Sequence, residues 1–180
     1  ESINDFAIIS PTNSDQNYPN YKISNDNKNI NENIISVDYV DGFSMLINKE
    51  KFKDDLFFDE NFFLYLENTD LCLRAKKRDQ NIFVIKNSFI THLGAASITS
   101  KDLEYLRNWH WMWSKFYFNK KHYGYFNAFL KIISNLTSAI FKYVFYLILF
   151  NSHKKKIYLM RLCGLYNSII GKKSWFRIND

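Results

Sequence analysis

The sequence predicts an α/β fold followed by amphipathic helices, and three observations lead to that prediction. Short apolar runs typical of buried strands alternate with helix-start signals over the first two-thirds of the chain. A strongly apolar, lysine-bearing region then extends from about residue 127 to residue 170. Acidic residues are almost confined to the part before it. We therefore expect an α/β domain over residues 1–125 and a basic helical tail over residues 126–180.

The predicted strands come first along the chain. Residues 6–9 form an apolar run that meets Ser10-Pro11, as a buried strand entering a loop would. Residues 12–33 are dominated by Asn, Asp, Ser and Lys, which predicts a long surface loop. Apolar residues return over 34–47, where Asp41-Gly42 predicts either two strands or one strand broken by a bend.

A helix is predicted next, followed by further strands. Asn68 and Thr69 are both good N-caps for a helix that runs to about Arg78. After a polar turn, residues 82–85 and 88–91 have the composition of two short strands. This order of elements supports the α/β class.

A second, longer helix is predicted from a capping signal. Thr99-Ser100-Lys101-Asp102 fits a capping box, so we expect the helix to begin there and to end at Gly124. It carries Trp109, Trp111 and Trp113. These side chains suit a substrate site, a lipid boundary or ordinary core packing, and the sequence does not separate the three.

The charge of the chain is divided in two. Residues 1–109 hold 12 Lys/Arg and 17 Asp/Glu, whereas residues 110–180 hold 12 Lys/Arg and one acid, Asp180. Lys131 and Lys142 interrupt the apolar tail, so a clean hydrocarbon span would bury two ammonium groups. Three consecutive lysines follow at 154–156. The pattern favours helices at the lipid headgroup level over a solvated face on core helices, and leaves open whether the tail spans or lies on the membrane.

Composition excludes several other classes of protein. The apolar and aromatic content excludes a disordered chain. Cys72 and Cys163 lack metal-ligand spacing and are expected to be buried free thiols, as in a reducing compartment. Nucleic-acid binding is disfavoured, because the positive charge adjoins long apolar stretches and the first half is acidic.

Two acids, Glu67 and Asp70, flank the start of the first predicted helix. A helix N-terminus favours ionised carboxylates, although spacing alone favours ordinary capping over a chemical role. The string around them is more specific: Phe58-Asp59-Glu60-Asn61-Phe62-Phe63-Leu64-Tyr65-Leu66-Glu67-Asn68-Thr69-Asp70-Leu71-Cys72-Leu73-Arg74. It resembles the signature F-D-E-x-F-F-x-Y-x-E-D-x-D-L-x-x-R of family 2 glycosyltransferases, in particular the rhamnosyltransferase-like group that builds bacterial surface polysaccharides.

Further segments resemble the same family in order and spacing, over residues from about 37 to 175. They are the glycine segment Asp41-Gly42-Phe43-Ser44-Met45-Leu46-Ile47, the H-x-G-x-S-like His92-Leu93-Gly94-Ala95-Ala96-Ser97, the helix from Arg107-Asn108 to Lys121-His122-Tyr123-Gly124, and the C-terminal Gly164-Leu165-Tyr166 and Gly171-Lys172.

The resemblance implies the C-terminal half of a GT-A fold, which binds a nucleotide sugar. In the family, an N-terminal half supplies the nucleotide pocket and an Asp-x-Asp motif for a divalent cation, Mg or Mn. No such motif follows an apolar strand in this chain, so residues 1–125 correspond to the acceptor-binding and base-bearing half and are expected to be inactive alone. The implied reaction is inverting transfer from a nucleotide-sugar donor to a lipid-linked or glycan acceptor, at the cytoplasmic face of the inner membrane.

The resemblance also implies roles for individual residues. Inverting transfer needs a base for the acceptor hydroxyl, and the position that carries it in the family is Asn68 here. An amide cannot accept that proton, so either Glu67 or Asp70 serves instead, or the protein is a catalytically degenerate, membrane-associated assembly protein. We expect Arg74 to pair with a neighbouring acid.

The remaining matched positions are candidates for binding. Gly42, Tyr65, Asn68 and Arg107 are implied to bind substrate, and an arginine can hold a phosphate bidentately. His92 matches the histidine that lies near the metal and diphosphate in the family.

Overall fold

The computed structural model describes residues 5–15, 17–23, 29–52, 57–92 and 100–178. They form a mixed α/β structure, which confirms the predicted class at that level; the assignment to the GT-A fold stays a prediction. The chain divides into two compact units. We call Glu1–Asp59 with Glu67–Ala96 the sheet unit, and Glu60–Leu66 with Ser97–Asp180 the helical unit. The predicted boundary after residue 125 lies inside the helical unit, after the first residue of the helix Tyr125–Ile148.

The described part of the sheet unit contains a four-stranded mixed sheet in the order β3-β6-β1-β5, and a two-stranded sheet of β2 and β4. The strands are β1 (Ile8–Asn13), β2 (Tyr21–Lys22), β3 (Ile34–Ser36), β4 (Tyr39–Val40), β5 (Leu46–Ile47) and β6 (Ile82–Ile90). β1 runs parallel to β6, whereas β3 and β5 pair antiparallel with their neighbours. A 3-10 helix covers Lys49–Phe52.

β1 differs from its prediction because it continues through Pro11 to Asn13. A proline removes one ladder donor and is tolerated where a strand lacks a neighbour on one side. β5 pairs only with Ile8 and Ile9, so at Pro11 the single paired neighbour of β1 is β6. The loop prediction for residues 12–33 was also incomplete. Its described part includes β2 and the fully buried Asn20, whose side chain bonds Ser10 and Pro11 of β1.

β6 is one strand where the sequence predicted two. Its pairing with β1 jumps from Ile85 opposite Pro11 to Phe89 opposite Thr12, so a bulge takes up the polar residues between them. The sequence predicted two strands because these polar residues interrupt the apolar pattern of β6. The segment predicted as one or two strands over residues 34–47 is three short strands, β3, β4 and β5.

Helix α1 (Glu67–Lys76) confirms the first predicted helix and starts one residue before the expected cap. Its Leu71, Cys72 and Ala75 are buried against the sheet, in a core that also includes Ile8, Val37, Val40, Phe52, Ile82 and Val84. Cys72 is a buried free thiol, as predicted, and burial raises its pKa to about 11, whereas Cys163 is free but only partly buried.

The helical unit contains three long helices in its described part. They are α2 (Lys101–Tyr123), α3 (Tyr125–Ile148) and α4 (Ser152–Ile169). α2 begins and ends as predicted, although the cap is Ser100, whose hydroxyl accepts from the N–H of Leu103; Thr99 lies outside the described residues. Gly124, with φ of 84°, ends α2 and lets the chain turn into α3.

α4 approaches α2 closely enough to bring their backbones together. A Cβ placed on Gly164 would lie 2.1 Å from the carbonyl oxygen of Trp109, so only glycine fits. One turn further on, Ser168 donates from its hydroxyl to the carbonyl oxygen of Trp113 at 2.9 Å. The core beside this contact is formed by Met112, Phe116, Ala128, Ile132 and Leu165.

Candidate functional site

The loop after β4 packs against the first turn of α1 in the sheet unit. A Cβ built on Gly42 would lie 3.3 Å from the Cβ of Asn68, so the glycine permits a close approach. The next residue, Phe43, stacks on the exposed His92 with ring centroids 4.3 Å apart. Three residues selected from the sequence, Gly42, Asn68 and His92, are therefore gathered around one loop.

Asn68 is buried and uses its amide nitrogen as a double donor. Nδ2 lies 3.0 Å from the hydroxyl oxygen of Tyr39 and 3.2 Å from the carbonyl oxygen of Val40. That carbonyl can only accept, and the Tyr39 hydroxyl is already donating to Oδ1 of Asp41. Burial and the Asp41 carboxylate raise the pKa of Tyr39, so its proton stays in place. An amide therefore fits this position, and a carboxylate would face oxygen atoms that cannot donate to it.

Glu67 is the first residue of α1 and has an uncommitted carboxylate. Oε2 is buried and has no hydrogen-bond partner among the described residues. The side chain as a whole is half-buried. A buried acceptor left unpaired typically costs about 1–3 kcal/mol, and a catalytic role or a bound water or ion is among the explanations for such a group in a native structure.

Asp70, the second candidate base, is committed to an ion pair. It is fully buried, and its Oδ2 accepts from Nε of Arg74, one helical turn later, at 2.9 Å. This confirms the expected pairing of Arg74 with a neighbouring acid. Arg74 also donates to the carbonyl oxygen of Phe57, the residue before the aromatic string of residues 58–74, and so ties that point of the chain to α1. The pairing gives Asp70 a structural role that Glu67 lacks.

His92 is the candidate metal ligand, and the described residues bring no group of three or more His, Cys, Asp or Glu side chains together around it or elsewhere. Divalent cations are held in proteins by several such ligands. The residues present therefore do not form a cation site by themselves, and the stacking of His92 on Phe43 is the contact that the structure assigns to it.

In the helical unit, residues 60–66 of the aromatic string lie along α2. The hydroxyl of Ser114 donates to the carbonyl oxygen of Leu64 at 2.7 Å. Phe62 meets Tyr117 edge to face, with ring centroids 5.0 Å apart. Tyr65 and Leu66 end the segment with positive φ values of 68° and 69°, a conformation that costs non-glycine residues about 1–2 kcal/mol each.

The substrate-binding candidates Tyr65 and Arg107 are in direct contact. Nε of Arg107 donates to the Tyr65 hydroxyl oxygen at 2.6 Å, and the Tyr65 ring meets Trp111 edge to face at 5.4 Å. The strained backbone at Tyr65 is thus held by a charge-assisted hydrogen bond and an aromatic contact. The resemblance selected each of them separately as a substrate-binding candidate, and their contact was not predicted, since they are far apart along the chain.

These residues form one wall of an open cavity of about 350 Å³. It is lined by Tyr65, Glu104, Arg107, Asn108, Trp111 and Arg161. Arg161, from α4, was not selected from the sequence; its Nε donates to Oδ1 of Asn108 at 2.7 Å. No local signal marks it, because only the packing of α4 on α2 brings it to this place.

The tryptophans of α2 have separate roles. Trp109 and Trp113 are buried, and Nε1 of Trp113 donates to the carbonyl oxygen of Lys172 at 2.9 Å. Trp111 is 37% exposed and lines the cavity. Core packing therefore accounts for Trp109 and Trp113. Trp111 remains a candidate for lining a substrate site.

His110 and Ser174 form a buried pair that the sequence did not indicate. Nε2 of His110 faces the carbonyl oxygen of Phe176 at 2.8 Å and so carries the proton, which leaves Nδ1 to accept from the Ser174 hydroxyl at 2.8 Å. Burial lowers the pKa of His110 to about 4, and the charge of Arg177 acts in the same direction. The neutral imidazole fixes the C-terminal segment to α2; because it is fully buried, no substrate reaches it.

Comparison of the chain with family models, curated proteins and solved structures gave no match.

Proposed function

We propose that this chain is the acceptor-binding part of a bacterial glycosyltransferase, with Glu67 as its catalytic base. The enzyme transfers a sugar, with inversion, from a nucleotide-sugar donor to a lipid-linked or polysaccharide acceptor during cell-surface glycan synthesis. The observation that carries the proposal is the uncommitted carboxylate of Glu67 at the start of α1. The resemblance of its surrounding string to family 2 glycosyltransferases, with a GT-A fold, supplies the reaction class.

The chemistry assigned to Glu67 is proton removal. The acceptor hydroxyl donates to the carboxylate, and its oxygen attacks the anomeric carbon as the proton passes to Glu67. The bond from that carbon to the donor phosphate breaks, and the electron pair leaves with the nucleoside diphosphate. A divalent cation would stabilise that leaving group. The described residues bring no group of three or more His, Cys, Asp or Glu side chains together, so they would not hold that cation by themselves.

Between the two acids, the structure favours Glu67 over Asp70. Arg74 already neutralises Asp70, and removing one partner of a buried pair leaves an uncompensated charge. Glu67 accepts from no described donor, so its protonation during a reaction breaks no existing hydrogen bond. Asp70 then acts as a positioning residue: it holds the side chain of Arg74, which links α1 to the carbonyl oxygen of Phe57.

We also propose that the helical tail holds the enzyme at the membrane. α3 has the length and composition of a membrane-crossing helix, and only 17% of its most apolar window is buried. Its two lysines lie over tyrosine rings, Lys131 over Tyr123 and Lys142 over Tyr158. Such amphipathic cations and aromatic rings are favoured at the headgroup level. A peripheral position on the cytoplasmic face of the inner membrane places the enzyme beside lipid-linked acceptors.

One observation favours an alternative function. Asn68 stands where the family has its base, and both hydrogens of its amide are used in structural bonds. A chain that has lost catalysis and kept its fold would show this arrangement. The alternative is therefore a catalytically degenerate, membrane-associated assembly protein.

A transfer assay with the full-length protein separates the two functions. The purified protein is incubated with UDP-, GDP- and dTDP-linked sugars and a polyprenyl-diphosphate-linked sugar, and release of nucleoside diphosphate is measured. We expect acceptor-dependent release by the wild type and a loss of about 10²–10⁴-fold in Glu67→Gln, the usual contribution of a general base.

Glu60→Gln is the matched control, because Glu60 is an exposed acid of the same aromatic string. It should retain the wild-type rate within about twofold, as exposed substitutions away from special features usually do. A wild-type protein that releases nucleotide with none of the donors supports the degenerate protein instead. Equal rates in Glu67→Gln and the wild type would remove Glu67 as the base.

A further inference from the structure

The cavity of the helical unit presents unused cationic donors. Arg107 and Arg161 each use Nε for a hydrogen bond, to Tyr65 and Asn108 respectively. The terminal amino groups of both guanidinium groups make no hydrogen bond or ion pair with the residues that the structure describes. A guanidinium offers only donors, so a ligand that satisfies both arginines must bring several acceptor oxygens and negative charge.

The one acid of the cavity does not neutralise these arginines. Oε2 of Glu104 lies 3.0 Å from Nε2 of His153, whose Nδ1 is 2.9 Å from the hydroxyl oxygen of Tyr105. No ion pair joins Glu104 to either arginine within the described chain. The cavity therefore keeps a net positive charge.

The donors are also held in place before any ligand binds. Tyr65 fixes the Arg107 side chain, and Asn108, whose own Nδ2 donates to the Glu104 carbonyl oxygen at 2.8 Å, fixes Arg161. Gly164 is three residues after Arg161 and sets the distance between α4 and α2. Donors fixed in advance lower the conformational cost of binding.

From this geometry we infer that the cavity lined by Arg107, Arg161, Tyr65 and Trp111 binds the diphosphate group of a substrate, with Arg161 as a ligand-binding residue. Two planar guanidinium groups match the several oxygens of a diphosphate, whereas a single carboxylate offers two. The indole of Trp111 and the ring of Tyr65 leave an aromatic wall for the group attached to the phosphate. Whether the diphosphate belongs to a polyprenyl acceptor or to a nucleotide is a question that rests on the proposed function. The inference that a diphosphate binds here is independent of that function.

The test is calorimetric titration of the full-length protein in neutral detergent, without any transfer reaction. The probes are inorganic pyrophosphate, farnesyl diphosphate and UDP. We expect saturable binding of pyrophosphate, weakened by about tenfold or more in Arg161→Gln and in Arg107→Gln, because hydrogen bonds to charged groups contribute most of the affinity. Arg161→Lys should restore only part of it, since lysine keeps the charge and loses the planar fork.

Lys154→Gln is the matched control, because it removes one exposed positive charge from the same helix. Its affinity for pyrophosphate should remain within about twofold of the wild type. Tighter binding of farnesyl diphosphate assigns the site to a lipid-linked substrate, and tighter binding of UDP assigns it to the nucleotide. Absence of saturable binding, or equal weakening in Lys154→Gln and Arg161→Gln, overturns the inference. Because no sugar is transferred, loss of this binding is seen separately from loss of catalysis at Glu67.

Discussion

At the scale of single residues, the first turn of α1 carries one polar side chain whose donors are both hydrogen-bonded, Asn68, and one with a buried oxygen that no described residue bonds, Glu67. Asn68 is fully used as a donor between Tyr39 and Val40. Glu67, next to it, accepts nothing from the described residues and is the part of this turn that remains available for chemistry. The sequence left the base open between Glu67 and Asp70, because spacing does not reveal which acid an arginine will neutralise.

Asn68→Asp tests the structural role of that amide. The new carboxylate loses the bond to the Val40 carbonyl oxygen and adds a negative charge near Asp41, so we expect the free energy of unfolding to fall by about 1–3 kcal/mol. Chemical denaturation at neutral pH measures it. Asn87→Asp, the same change at an exposed position of β6, is the control. Equal stability of the two variants would contradict the assigned hydrogen bonds.

His110 predicts a pH dependence of stability. The pKa of His110 is about 4 in the folded protein, whereas an unfolded histidine titrates near about 6.5. Between these values the unfolded state binds the extra proton, so the stabilising contribution is present above about pH 6.5 and is lost as the pH falls toward 4, by up to about 3 kcal/mol.

The measurement compares wild type with His110→Gln, which has no imidazole to titrate. The difference in unfolding free energy between them should shrink when the pH is lowered from neutrality to about 4.5. A difference that stays constant would show that His110 is not held neutral by the fold.

At the scale of elements, the helices were predicted well and the strands poorly. The boundaries of α2 follow from local chemistry, Ser100 at its start and Gly124 at its end. β6 was divided in the prediction because its bulge carries polar residues. β1 was predicted too short because the tolerance of Pro11 depends on where β5 ends, which is a tertiary fact.

The packing of α4 on α2 gives a prediction for one glycine. Gly164→Ala places a methyl group 2.1 Å from the Trp109 carbonyl oxygen, so the helices must separate. We expect a loss of about 1–3 kcal/mol in unfolding free energy, typical of overpacking. Thermal unfolding in detergent measures it, with Ser138→Ala at an exposed position of α3 as the control. Stability equal to that of the control would show that the two backbones are not in close contact.

At the scale of the whole molecule, the basic part of the chain is also the part in which a long helix, α3, exposes its apolar side chains. α3 exposes large apolar side chains, among them Phe126 at 72% and Phe141 at 71%. The acidic half of the chain holds the sheet unit, whereas the basic half holds α3 and α4. The tail was predicted from apolarity and lysine content together. The cavity was predicted only in part: Arg107 was selected as a phosphate-binding candidate, whereas Arg161 was not, because it comes from a second helix that the sequence does not relate to the first.

Membrane association is tested by flotation with anionic vesicles. The double variant Phe126→Asp/Phe141→Asp should lose most binding, because it puts charges on the apolar face. Replacement of lysines 154–156 by glutamine should weaken binding mainly at low salt, by about 1 kcal/mol per lysine. Ser138→Ala is again the control. Wild-type protein that stays in the aqueous fraction would contradict the membrane proposal. If such protein instead bound DNA in a salt-sensitive way, the hypothesis of nucleic-acid binding would be supported.

The central claim, that Glu67 removes the acceptor proton, is tested most directly by single-turnover sugar transfer at saturating acceptor. Under these conditions the observed rate reports the chemical step and not binding. We expect Glu67→Gln to form product at least about a hundredfold more slowly than the wild type, with an acceptor concentration dependence that is little changed. A Glu67→Gln protein that transfers sugar at the wild-type rate, or one that differs only in acceptor affinity, would contradict it.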